Sequence, residues 1–215
     1  MKLSTLVVGA AVSLALPALA LATPLHGHFS GYANHSGGVP GAYTAGETYV
    51  AYATLDNVNP DPWYTWNPAK QYTAVISTTV ASAFEAPPMI LNVTFATASV
   101  QIYEDSTTPA NYANTGTFTD GTLLLTGSIT GMAGQRPNFP GFNWDVIGSV
   151  NFTGGAGLGG LLCNLPMGMN DFIAFQSPPI FPPAGYEEAY NIDWFCEAST
   201  SVDESTWGRM KSLYR

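Results

Sequence analysis

The stretch Thr115-Gly116-Thr117-Phe118-Thr119-Asp120-Gly121-Thr122-Leu123-Leu124-Leu125-Thr126-Gly127-Ser128-Ile129-Thr130-Gly131 carries the clearest local folding instruction in the chain. Asp120-Gly121 offers two residues that tolerate positive φ, as a type I′ turn requires, and the flanking Thr, Phe, Leu and Ile suit extended backbone. The reading is a β-hairpin, with strands from Gly116 to Thr119 and from Thr122 to Thr130. In the second strand Leu123, Leu125, Gly127 and Ile129 share one face, and Thr122, Leu124, Thr126, Ser128 and Thr130 share the other.

Working outward, the same chemistry recurs. Glu47 to Leu55, Lys70 to Phe84 and Leu91 to Tyr103 combine Val, Ile, Thr, Tyr and Phe without helical periodicity and predict three more strands. Tyr49, Ala51 and Ala53 alternate with Val50, Tyr52 and Thr54. Val93, Phe95, Val100 and Ile102 mark apolar positions whose phase shifts after Phe95, predicting a bulge or bend. Asn143 to Phe152 alternates as well, with Trp144, Val146, Gly148 and Val150 against Asp145, Ile147, Ser149 and Asn151. Tyr190 to Cys196 reads as a last strand.

The composition agrees. Of 215 residues 46% are hydrophobic and 13% aromatic, enough for a sizeable core, while only 10% are charged, well below the usual share of helical proteins. The formal net charge is -9. An acidic surface of this kind repels nucleic acid, which is excluded as a partner.

Met1 to Ala22 has Lys2 in a short positive start, an apolar run from Leu6 to Leu21, and Ala20 and Ala22 flanking a cleavage point before Thr23, so residues 1–22 read as a signal peptide. No later stretch is long and apolar enough to span a bilayer as a helix. The expected localisation is secreted, extracellular or at the cell surface. In an oxidising compartment Cys163 and Cys196 have one another as the available disulfide partner; free buried thiols and a metal pair are the alternatives.

Candidate sites are few. Asn57, Asn59 and Asp61 alternate in the loop 56–68 and offer oxygens to Ca²⁺, although the loop lacks the Gly and distal Glu of an EF-hand. In the same loop Trp63, Tyr64 and Trp66 offer either an aromatic platform for a sugar polymer or a cap on one end of the core. His26, His28 and His35 lie among Gly and Ser residues near the mature N-terminus, and suit zinc or copper or a flexible arm. Gly155, Gly157 and Gly160 match the spacing of a nucleotide loop, but Cys163-Asn164-Leu165-Pro166 interrupts the helix such a loop needs. Glu187, Glu188, Asp193 and Glu197 supply carboxylates of the kind a glycoside hydrolase uses. No catalytic motif is present, and the chain reads as non-enzymatic.

Residues 201–215 change character. Trp207, Met210 and Leu213 recur at helical spacing, and Arg209, Lys211 and Arg215 gather at the end. A short amphipathic C-terminal helix is expected, docked on its own domain, on a cell-envelope partner or on a membrane surface.

Gln101-Ile102-Tyr103-Glu104-Asp105, Pro109-Ala110-Asn111-Tyr112 and Thr117 to Gly127 resemble a stretch of bacterial secreted proteins of the PEP-CTERM type. Those proteins end in a Pro-Glu-Pro motif, an apolar helix and a basic cluster, and this chain has neither that motif nor that helix. The resemblance implies a bacterial exported β-domain of the cell surface or extracellular matrix.

The combined expectation is an all-β chain. Residues 23–200 form one antiparallel two-sheet sandwich or jelly-roll-like domain, acting as a structural or adhesive module; the alternatives are a carbohydrate-binding module and, behind it, a secreted glycan-cleaving enzyme. The partners expected are extracellular polysaccharide, or a cell-envelope protein held through the tail. No cofactor beyond Ca²⁺ is expected.

Overall fold

The computed structural model describes residues 25–37, 42–57, 62–87, 89–105, 108–137, 144–162, 167–173 and 182–196. They form an antiparallel all-β domain of nine strands: β1 (Leu25–His35), β2 (Thr48–Asn57), β3 (Gln71–Ala86), β4 (Ile90–Phe95), β5 (Ala98–Asp105), β6 (Thr122–Pro137), β7 (Trp144–Gly154), β8 (Met167–Ile173) and β9 (Glu188–Cys196). The helical segments among the described residues are two 3-10 turns, Thr115–Phe118 and Leu158–Gly160. The expected C-terminal helix and the leader lie outside the described residues.

Neighbours in sequence are neighbours in the sheet almost throughout. The ladder runs β1-β2-β3-β5-β6-β7-β8-β9 and returns to β1, with β4 seated between the second halves of β3 and β6. The facing parts of the sheet enclose one core in sandwich fashion, and the ladder joins them on both sides. Such closure leaves no long unpaired edge along β1, which has β2 on one side and β9 on the other.

Alternation decides what faces the core. Tyr49, Ala51 and Ala53 of β2, Val100 and Ile102 of β5, and Val146 and Val150 of β7 are all buried, as their period-2 pattern predicts. The phase shift after Phe95 is a strand break: Val93 and Phe95 belong to β4, Val100 and Ile102 to β5, and all four point inward. Small side chains on β1 and β2 leave room for rings elsewhere. Phe29, Trp63, Trp66, Phe152 and Trp194 fill the interior, the Trp63 ring centroid lying 5.1 Å from Trp66, 5.7 Å from Phe152 and 5.8 Å from Trp194. Outward positions such as Ser30, Asn34, Thr54, Ser99 and Gln101 are polar.

The expected hairpin at Asp120-Gly121 is corrected in its first half. Residues Thr115–Phe118 form a 3-10 turn, and neither Asp120 nor Gly121 has positive φ. The Thr117 hydroxyl explains why: it donates to the Asn114 carbonyl at 2.9 Å and accepts the Asn111 N–H at 2.8 Å, tying this segment to its own loop. The partner of β6 is β5 instead, with Glu104 opposite Thr122. Gly121 is needed for another reason: a Cβ there would sit 2.5 Å from the Glu104 carbonyl oxygen.

Candidate aromatic surface

Trp63, Tyr64 and Trp66 are not a surface platform. They are 0%, 8% and 7% exposed and belong to the core cluster, closing one end of the domain. Of the two sequence readings of these rings, a platform and a cap on one end of the core, their burial selects the cap. The Trp63 indole presses on Gly27, where a Cβ would lie 2.1 Å from Nε1. Tyr64 is seated by the glycine run: Cβ atoms at Gly157 and Gly160 would meet its hydroxyl at 2.6 Å and its ring at 2.9 Å. Gly155, at φ +103, turns the chain into that seat. These glycines make room for a tyrosine, and none of that geometry involves a phosphate.

The histidines do not form a flexible arm. They lie on β1, in the interior of the ladder. His28 points outward, its Nδ1 2.7 Å from Asp193 Oδ1 and its Nε2 3.6 Å from Asp56 Oδ2, tying β9, β1 and β2 together at a partly exposed position. His35 points inward at the other end of β1. It stacks on Tyr43 at 4.9 Å and approaches Glu47 Oε2 at 3.2 Å. The carboxylates expected as an acidic group are divided among separate contacts. Glu188 is buried and accepts from the Tyr43 hydroxyl, Glu187 accepts the His35 backbone N–H, Asp193 holds His28, and Glu197 lies outside the described residues.

A different set of rings gathers on the outside. Tyr32 of β1 is in register with Tyr52 of β2, both on the outward face. Two connections fold over them: residues 108–119 from between β5 and β6, bringing Tyr112 and Phe118, and residues 182–187 ahead of β9, bringing Tyr186. Thr73 of β3 anchors the first by donating to the Phe118 carbonyl at 2.8 Å, and Gln71 Oε1 accepts the Ala110 N–H at 2.7 Å. Tyr186 donates its hydroxyl to the Tyr112 carbonyl at 3.0 Å, fixing one connection to the other.

The rings meet edge to face. Tyr32 lies 4.7 Å from Tyr112 at 85°, Tyr112 lies 5.7 Å from Tyr186 at 89°, and Tyr52 lies 6.2 Å from Tyr186 at 89°. Phe118 is buried beneath, while the four tyrosines are half-buried and reach solvent. Burial pushes the Tyr112 hydroxyl above the ordinary tyrosine range, with Asp56 among the charges that add to it; Tyr186 is raised chiefly by burial as well. Sequence reasoning missed this patch. Its one legible signal is the aromatic pair Tyr32 and Tyr52 at outward strand positions.

Beside Asp56 a cleft of about 250 Å³ opens, lined by Asn67, Lys70, Gln71 and Tyr72 among others. Tyr72 accepts the Asn67 N–H at 2.8 Å and donates to Glu104 Oε2 at 2.9 Å. Burial, with Glu104 beside it, holds its pKa up at about 12. A second, wider groove of about 600 Å³ lies near the opposite end, between Asn92, Thr94, Ala133, Gln135 and the exposed Phe84 and Ile147.

The expected calcium ligands Asn59 and Asp61 lie outside the described residues, as do Cys163 and the tail residues Trp207, Met210 and Leu213; Asn57 ends β2. Cys196 is buried at the end of β9, and no cysteine among the described residues is a free thiol. Among the described residues no three His, Cys, Asp or Glu side chains are grouped to hold a metal, and no helix is long and apolar enough to cross a membrane. No family model matches the chain, and no curated protein or solved structure matches it.

Proposed function

We propose that this chain is an exported bacterial structural or adhesive β-domain of the cell surface or extracellular matrix, with no catalytic role. The observation that carries the reading is the division of its aromatic residues. The interior is filled by rings in mutual contact, whereas a second set of rings packs together on the outer face, half-exposed, where a partner can reach it. Export is supported by the leader-like residues 1–22 and by the low-charge, Thr- and Asn-rich composition. In this reading Cys163 pairs with Cys196, and the tail residues Trp207, Met210 and Leu213 serve attachment to the envelope or to the domain itself.

The test is genetic and biochemical together. A strain lacking the gene is compared with its parent for attachment and for protein in the surface and matrix fractions. The expected result is a mature chain beginning at Thr23 in those fractions, and weaker attachment without it. Recovery of the full chain in the cytoplasm, or unchanged attachment, would defeat the proposal.

A further inference from the structure

We infer that the outer tyrosine patch, together with the polar strip running from it to the cleft beside Asp56, is a binding site for a neutral polysaccharide. The site is extended. Tyr186, Tyr32, Tyr52 and Tyr112 form its aromatic part, and Tyr112 leads to the polar part, its hydroxyl 3.4 Å from the Ser30 carbonyl and its electrostatics coupled to Asp56. Next come His28 with Asp56 and Asp193, and then the cleft with Asn67, Lys70 and Gln71.

The chemistry selects the ligand. Half-exposed tyrosine rings give the apolar C–H faces of pyranose rings contact area at little entropic cost, because these rings are already held by one another and by the Tyr186 to Tyr112 hydrogen bond. Carboxylate and amide groups further along accept and donate to sugar hydroxyls. An extended peptide is disfavoured, since β1 and β2 are paired on both sides and offer no edge for strand addition. A polyanion is disfavoured by Asp56, Asp193 and Glu104 against Lys70, the one cation among the described lining residues, and by the net charge of -9.

This inference rests on the adhesive reading, because it names what the adhesive surface holds. Affinity electrophoresis of the chain from Thr23 onward, through gels containing laminarin, galactomannan, pullulan or alginate, tests it. Retardation is expected in at least one neutral polymer and not in alginate. Tyr186→Ala and Tyr112→Ala should each weaken that retardation roughly tenfold, the size of one lost ring contact. Tyr186→Phe should keep most of it, losing only the share held by the hydroxyl bond to Tyr112. Phe84→Ser, in the other groove, should leave it unchanged, and the melting temperature of each variant shows whether the fold survives. Absence of retardation in every neutral polymer, retardation in alginate alone, or full retention by a folded Tyr186→Ala variant would overturn the inference. Attachment of wild-type cells in the presence of any of those results would leave the adhesive reading standing with a different ligand.

Discussion

Replacing Trp63 by alanine separates a core ring from a surface ring. Trp63 is outside the nine strands, but it is fully buried and touches Tyr64, Trp66, Phe152 and Trp194. A tryptophan buries about 150 to 250 Å², which at about 25 cal/mol per Å² corresponds to roughly 4 to 6 kcal/mol. Truncations of buried aromatic residues cost about 3 to 5 kcal/mol, cavity included. For a domain of this size each kcal/mol moves the melting temperature by about 2 to 4 °C, so Trp63→Ala should melt roughly 10 to 15 °C lower. Trp63→Phe keeps much of the ring contact and should lose less than half of that. Circular dichroism melts and urea titrations of the three proteins read the effect. A Trp63→Ala melting point within about 2 °C of wild type would refute the burial argument and return the ring to the surface.

Three further outcomes follow from particular contacts. Non-reducing mass spectrometry should find Cys163 joined to Cys196; reduction should then lower stability by about 3 to 4 kcal/mol, as expected for releasing a loop of about 34 residues, and two free thiols would contradict it. Tyr72 binds its proton more tightly folded than unfolded, with a folded pKa of about 12 against the ordinary value of 10.0, so the stability it contributes is complete below pH 10 and is lost as pH rises towards 12. Urea midpoints at the two pH values should fall more in wild type than in Tyr72→Phe, and equal slopes would dismiss the assignment. Gly31→Ala places a Cβ 1.9 Å from the Tyr52 backbone oxygen, which forces β1 away from β2 and should cost about 1 to 3 kcal/mol; a melting point equal to wild type would show that the two strands do not pack as described.

How far the sequence discloses this molecule depends on where the signal is local. β2 and β7 are legible because Tyr49, Ala51 and Ala53, and Val146 and Val150, repeat at the period of a strand. β1 is not, because Gly27, Gly31 and the histidines read as a mobile, metal-suited arm. The two glycines are there because the Trp63 indole and the Tyr52 backbone oxygen occupy the space of their side chains, which only the assembled fold reveals. The hairpin at Asp120-Gly121 misleads for a related reason: the turn chemistry is local, but β5 takes the pairing position beside β6. Trp63, Tyr64 and Trp66 declare aromatic packing without declaring its side. The outer patch is least legible of all, since Tyr32, Tyr52, Tyr112 and Tyr186 come from four separate stretches and meet through the register of β1 with β2 and the path of two connections.

The most direct test of the adhesive account is a binding isotherm of the purified chain from Thr23 onward on extracellular matrix isolated from the organism that produces it. Saturable binding is predicted, competed by excess unlabelled chain and weakened by Tyr186→Ala without loss of fold. Binding no greater than that of an unrelated acidic protein of similar size would contradict it.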